Sequence, residues 1–265
     1  MAVEERRLKL WQGKVETEIE VSGDGPPLLY LHGPWGLAPD RAFVARLAAA
    51  NTVFAPKHPG TTNGDPNAAH LIDTLWDLIV YYGELLDRLG LDTVALVGHS
   101  FGGLVAAEIA ANTPNRVKSL VLIDPVGLWR DDHPVQNWMI MPEAQRAKAL
   151  FADPAGDAAK RFFAHPEDKD ARTASIVAFV WAQACTGKYI WPIPDKGLKH
   201  RIHRVAAPTL VLWGKEDGIA APIYAGEFTA RIAGARAEVI DGAGHLPHLE
   251  EGERVAAIAR KFLAG

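Results

Sequence analysis

A serine hydroxyl acts as a nucleophile only where a turn exposes it beside a base and in front of hydrogen-bond donors. The segment Gly98-His99-Ser100-Phe101-Gly102-Gly103 offers such a turn, directly after the apolar run Val94–Val97 and before a helical stretch. A sharp strand-to-helix reversal crowds the backbone, and Gly98 and Gly102 supply room where a side chain would clash. The helix starting at Phe101 adds its positive end beneath a developing oxyanion. The base must come from elsewhere in the chain. His245 lies in Gly242-Ala243-Gly244-His245-Leu246-Pro247, a mobile Gly-rich turn after the run Glu238–Ile240. An imidazole there can take and return a serine proton. Its neighbour His248 is expected to be a structural or surface residue. A carboxylate must fix the imidazole tautomer. Asp217, in Trp213-Gly214-Lys215-Glu216-Asp217-Gly218, and Asp124, ending the run Leu120–Ile123, are the candidates. Asp217 is preferred, because Pro125 after Asp124 suggests a strand-end turn, and the adjacent Glu216 should point elsewhere.

These residues need elements that deliver them to one edge. Leu28–Leu31, Thr52–Ala55, Val94–Val97, Leu120–Ile123, Thr209–Trp213 and Glu238–Ile240 are short continuous apolar runs bounded by Gly, Pro, Asp or Asn. Such runs suit strands buried on both faces of a parallel sheet. Helical stretches lie between them: Asp40–Ala50, Asn67–Leu89, Phe101–Asn112, Pro222–Ala233 and Pro247–Leu263. The alternation predicts an α/β fold of right-handed βαβ units. Leu8–Gly13 and Lys14–Val21 alternate polar and apolar residues and predict an antiparallel edge hairpin.

From about Gly127 to Val205 the rhythm stops. No strand is expected there, only several short helices punctuated by prolines. Trp129, Trp138, Trp181 and Trp191, with Met139 and Met141, fall in this stretch. Large side chains are needed simply to hold small helices together. A share of them would form the underside of a lid over an apolar substrate. The expected organisation is a core of residues 1–126 and 206–265, with 127–205 inserted as a helical cap.

In the order Ser100, Asp217, His245, and with His32-Gly33-Pro34-Trp35-Gly36 after Leu28–Leu31, the chain resembles the α/β-hydrolase fold family over nearly its whole length. The resemblance implies a mostly parallel eight-stranded sheet flanked by helices and an oxyanion hole of two backbone N–H groups. One belongs to Phe101. The other is usually that of the residue after His32-Gly33, but Pro34 has no N–H to give. Trp35 becomes the expected second donor. Trp35, Trp129, Trp138, Met139, Trp181 and Leu246 are the expected substrate-binding side chains.

Composition narrows the rest. The chain has 265 residues with 48% hydrophobic and 23% charged residues, enough to bury a sizeable core. A net charge of -4 lacks the basic excess of a nucleic-acid binder. No apolar run approaches the ~20 residues of a membrane span, and the first residues do not look like a signal peptide. The single cysteine, Cys185, cannot form an internal disulfide, which suits a cytoplasmic protein, and it is expected to pack rather than react. His200 and His203 lack the companions of a zinc site. Gly23 to Pro27 is a turn and not a phosphate cradle. The polar loop Gly60–Pro66 is expected to border the site. No metal or cofactor is expected.

The expected activity is hydrolysis of carboxylic esters with small to medium apolar acyl groups, by a monomer or homodimer. Lactone hydrolysis shares that chemistry. Carbon–carbon hydrolysis of ring-cleavage diketones is the alternative. The resemblance implies Asn before the nucleophile and a Ser- or Gly-rich loop for that branch, where this chain has His99 and Pro34-Trp35. Cationic cap residues exceed anionic ones by 12 to 9 between 127 and 205, which would suit an anionic substrate or simply a solvated surface. A catalytically idle ligand receptor is the third possibility. Epoxide and haloalkane relatives use Asp where this chain has Ser100.

Overall fold

In a computed structural model describing residues 2–61 and 67–265, eight strands form one sheet in the order β1-β2-β4-β3-β5-β6-β7-β8. β5 (Val94–His99) lies inside it, between β3 (Pro27–Leu31) and β6 (Val117–Ile123). β4 (Thr52–Pro56), β7 (Thr209–Gly214) and β8 (Arg236–Ile240) complete the six parallel strands. β1 (Val3–Leu10) and β2 (Val15–Ser22) form an antiparallel hairpin, and β2 attaches antiparallel to β4. The hairpin covers more of the N-terminus than the alternation predicts. Its turn uses left-handed Trp11, Gln12 and Gly13, and the Trp11 N–H donates to Glu84.

Parallel strands place all their carboxyl ends at one edge. His32, Ser100, Asp124, Asp217 and His245 all follow strand ends there. β5 is buried throughout because helices cover both faces of the sheet. On one face α4 (Phe101–Asn112) is buried at all but its last residue, which explains why it has no polar stripe. α3 (Leu75–Arg88) packs beside it, opened by Thr74 and Asp77 in a reciprocal capping box. On the other face α1 (Arg41–Leu47) packs against α10 (Gly252–Leu263).

Two predicted helices are each split. Asn67–Leu89 divides into α2 (Ala68–Leu71) and α3, because the Thr74 cap starts a new helix. Pro247–Leu263 divides at Glu251 into α9 (Pro247–Glu250) and α10. Between β6 and β7 the described structure is helical: α5 (Glu143–Leu150), α6 (Asp157–Phe162), α7 (Lys169–Ile190) and short 3-10 turns. The expectation of only short helices there is corrected by α7, which runs 22 residues from an Asp168 cap without an internal Gly-Pro break. Arg201 returns this segment to the core through a two-pronged bond to buried Glu108 on α4 (Nε to Oε2, 2.9 Å; Nη2 to Oε1, 2.5 Å). No helix among the described residues is long and apolar enough to cross a membrane.

Candidate active site

Ser100 sits between β5 and α4 at φ 51°, ψ −111°, a backbone conformation costly for any residue with a Cβ. The neighbours make the turn possible. A Cβ on Gly102 would approach the His32 carbonyl oxygen to 2.6 Å, and one on Gly98 would approach the Gly102 carbonyl carbon to 2.7 Å. Both are closer than real Cβ contacts allow. The Ser100 amide donates to the Ile123 carbonyl and its own carbonyl accepts from Leu104 and Val126, so the strained residue is tied to β6 and α4.

His245 reaches this turn from the loop after β8. Its Nε2 lies 2.8 Å from Ser100 Oγ, and its Nδ1 lies 2.8 Å from Asp217 Oδ2. Asp217 Oδ1 accepts from the Ile219 and Ala220 amides at 2.7 and 3.0 Å, which fixes the carboxylate by two further bonds. With Asp217 accepting from Nδ1–H, Nε2 carries the lone pair and accepts from the serine hydroxyl. The three residues predicted from their separate loops are thus brought into one hydrogen-bonded line, and all are buried. The packing that aligns them depends on Gly214, whose Cβ would lie 2.6 Å from the Ala243 carbonyl oxygen and closer still to that of Gly244. Glu216 faces away and accepts from the Ala243 amide.

Several residues that sequence reasoning passed over hold the base in place. Glu250 accepts from the Gly244, Ala152 and Asp153 amides, tying the His245 loop to the end of α5, and burial raises its carboxyl above the usual range. His99 Nε2–H donates to the His245 carbonyl at 2.9 Å. Its ring lies 4.2 Å from that of His248, whose Nε2 meets Asp40 Oδ1 at 2.9 Å, while Tyr30 donates to Asp40 Oδ2. His248 is therefore buried structure. Burial and the neighbouring imidazoles push His99 well below the ordinary histidine range. The spacing of His248, three residues after His245 on a short helix, was the available signal, but Asp40 is distant in sequence.

The loop that follows β3 is anchored by two histidines. His32 Nδ1–H donates to Gly33 O at 2.6 Å, its Nε2 accepts the His58 amide, and His58 Nε2–H donates back to the His32 carbonyl. Burial lowers both histidines, and His58 well below its usual value, so both serve as neutral struts. Above them, the Phe101 and Trp35 amides have no acceptor among the described residues. The absence of an N–H at Pro34 leaves Trp35 as the next amide in that loop.

A cleft of about 1290 Å³ opens beside this site, with Trp35, Leu37, Phe162, Phe179 and Ala182 as its apolar wall. Of the six expected substrate-binding side chains, only Trp35 lines it. Trp138 is fully buried against Trp35 and Trp191, and Leu246 is buried core. Trp129 bonds Asp131, Trp181 donates to the Gly60 carbonyl at 2.5 Å, and Met139 abuts Gly187. Trp129, Trp138, Trp181 and Met139 make contacts within the β6–β7 segment or from it to the rest of the protein. Phe162 and Phe179 were missed, since a phenylalanine on a helix gives no sign in the sequence of which partner it faces. The indole of Trp35 packs edge-on against Phe162 at 5.7 Å and His245 at 6.0 Å, and so joins the cleft wall to the His245 ring.

Arg41, Lys57 and Arg46 on the cleft rim are paired with Glu20, Glu18 and Glu253. Thr61 also lines it, whereas the rest of the predicted loop, residues 62–66, lies outside the described residues. His200 and His203 are exposed. Cys185 is buried, donates to the Gly60 carbonyl, and burial pushes its thiol up to about 11, far from a reactive thiolate.

Similarity to known proteins agrees with this geometry. The chain is 29% identical over 256 residues to the dihydrolipoyllysine-residue acetyltransferase component of the acetoin cleaving system of Cupriavidus necator, covering 92% of this chain but only 65% of that protein. It is 29% identical over 257 residues to the pimeloyl-[acyl-carrier protein] methyl ester esterase of Aromatoleum aromaticum, covering 91% of this chain and 99% of the esterase. Among solved structures, a meta-cleavage product hydrolase from Pseudomonas fluorescens IP01 superposes with a TM-score of 0.77 at 18% identity, over 98% of this chain and 97% of the other. The model of the alpha/beta hydrolase family matches residues 28–258, and the chain belongs to that family.

Proposed function

We propose that this alpha/beta hydrolase is a serine esterase acting on carboxylic esters with small to medium apolar acyl groups. The observation that carries the reading is the buried line from Ser100 Oγ through His245 to Asp217, with both hydrogen bonds at 2.8 Å. Ser100 attacks the ester carbonyl while His245 Nε2 takes its proton. The Phe101 and Trp35 amides hold the oxyanion of the tetrahedral intermediate, each worth roughly 10²–10³ in turnover. His245 then protonates the leaving alcohol, and an acyl group remains on Ser100. In the second half, His245 removes a proton from water, which attacks the acyl carbonyl and releases the acid. Asp217 keeps Nδ1 protonated throughout and stabilises the imidazolium.

The apolar wall of the cleft, and the neutralisation of three of its rim cations by carboxylates, support an uncharged acyl chain. Residues 127–205 serve as a cap over the core of 1–126 and 206–265, contributing Phe162, Phe179 and Ala182 to that wall. The methyl ester esterase is matched over 99% of its own length at 29% identity, which also favours ester cleavage.

The test is hydrolysis of p-nitrophenyl butyrate by the purified protein and its loss in Ser100→Ala. A wild type inert across a panel of esters and lactones would sink the reading. Turnover confined to vinylogous diketones would replace it with carbon–carbon hydrolysis, and tight ligand binding without turnover would replace it with a receptor.

A further inference from the structure

Asp124 has no part in the line from Ser100 to Asp217, yet it is fully buried beside it. It ends β6 at φ 42°, a left-handed conformation that a non-glycine residue keeps only when its surroundings require it. Its Oδ1 accepts the Gly214 amide at 2.9 Å, while its buried Oδ2 has no hydrogen-bond partner of that kind among the described residues. One oxygen of Asp124, one of Asp217 and a ring nitrogen of His245 all lie within 4.8 Å of one another.

Two carboxylates this close, both out of water, do not both ionise; they share one proton. The donors decide where it rests. Asp217 receives three hydrogen bonds, from the Ile219 and Ala220 amides and from His245, whereas Asp124 receives one, from Gly214. The anion belongs on the better-solvated partner, so the proton belongs on Asp124. Burial and the nearby charges of Asp217 and Glu250 push the Asp124 carboxyl in the same direction, well above the usual carboxylate range.

We propose that Asp124 is a positioning residue for the triad acid: a neutral carboxylic acid whose Oδ2–H is directed at the Asp217 carboxylate, and which becomes the ionised partner of His245 when Asp217 is neutralised. This rests on the Ser100–His245–Asp217 reading. Asp124 thereby holds Asp217 toward the imidazole without placing a second negative charge beside it.

Infrared spectroscopy provides a test that does not depend on turnover. The carbonyl stretch of a protonated carboxyl group should be present at pH 7 in the wild type and in Ser100→Ala. It should be absent in Asp124→Asn, and absent in Asp217→Asn, where Asp124 ionises. Stability gives a second readout. An acid that keeps its proton in the folded state costs stability as pH rises above the unfolded value near 3.9, because only the unfolded chain releases it. The Tm of Asp124→Asn should therefore move ahead of wild type by about 2 °C per pH unit above that point. In turnover, adding Asp124→Asn should cost at least tenfold more in the Asp217→Asn background than in the wild type. No such band together with a Tm gap independent of pH would overturn the proposal and leave Asp124 as a clamp on Gly214. Equal costs in the two backgrounds would overturn its reserve role. Retained activity in Ser100→Ala would instead refute the triad reading, with the band and the Tm gap still readable.

Discussion

Trp35 carries the most informative single perturbation, because stability and access should respond in opposite directions. Its side chain is 5% exposed and touches the rings of His99, Trp138, Phe162 and His245 at centroid distances of 5.7–6.1 Å. Truncation to alanine in a packed site costs about 3–5 kcal/mol. At about 2.1 cal/mol/K per residue, unfolding of this chain carries an entropy of about 0.56 kcal/mol/K, so the Tm should fall by roughly 5–9 °C. Access should improve. Ser100 and His245 are fully buried and Trp35 lines the cleft with its ring against His245, so on the proposed reading a substrate reaches Ser100 by displacing the indole. Breaking four ring contacts at the low end of about 0.5 kcal/mol each costs about 2 kcal/mol, a factor of roughly 30 in the competent population. The assay is the second-order rate at which a bulky fluorophosphonate labels Ser100. Trp35→Ala should react 10- to 30-fold faster (~10–30 from the same contact energy), with Trp35→Phe between it and wild type. The backbone N–H remains in both variants, so the proposed oxyanion donor is not the variable. Slower or unchanged labelling with the same loss of Tm would show that Trp35 is packing and that the route to Ser100 lies elsewhere.

Other positions make sharper structural demands. Gly214→Ala would drive a Cβ into the Gly244 and Ala243 carbonyls and displace the His245 loop, so esterase activity should fall at least ~100-fold even where circular dichroism shows a folded protein, by the sensitivity of catalysis to ~1 Å misplacement; activity within threefold of wild type would refute it. Arg201→Met leaves the buried Glu108 carboxylate without a counter-ion and with only the Asn112 side-chain amide donating to it, which should cost about 3–5 kcal/mol in urea unfolding, and Glu108→Gln added to it should recover most of that loss. Acid should weaken the fold through His32, His58 and His99, whose folded values are lowered by burial. Above about pH 6.5 these rings are neutral in both states and their contribution is intact; below it the unfolded chain binds protons that the folded chain refuses, at up to about 1.4 kcal/mol per pH unit for each. The Tm should fall from pH 7 to 5, less steeply in His58→Gln, and a flat profile would contradict the neutral-strut role.

Ser100, His245 and Asp217 were legible in the sequence because each follows a strand end, and parallel strands deliver all such ends to one edge. The edge is a topological consequence, so three loops far apart in the chain could be matched without distances. The segment between β6 and β7 did not yield in the same way. Trp129, Trp138, Trp181 and Met139 were chosen for size and composition, but size does not decide what a side chain faces: Trp138 is fully buried, whereas Trp181 and Met139 are each 38% exposed. Phe162 on α6 and Phe179 on α7 line the cleft together with Trp35 and Leu37, which follow β3, and no local pattern encodes a juxtaposition of residues so far apart in the chain.

Asp124 shows the same boundary more sharply. Its sequence setting, a strand end followed by Pro125, made it a rival for the acid or a turn residue, two exclusive roles. Which carboxylate ionises depends on how many amides each one faces, and that number is set by the turn Asp217-Gly218-Ile219-Ala220 folding its amides back onto Asp217 while β7 offers Asp124 only the Gly214 amide. Both acids sit at the correct edge. The distinction between them is one of hydrogen bonding: a loop that folds back on its own first residue gives Asp217 two amide donors where Asp124 has one.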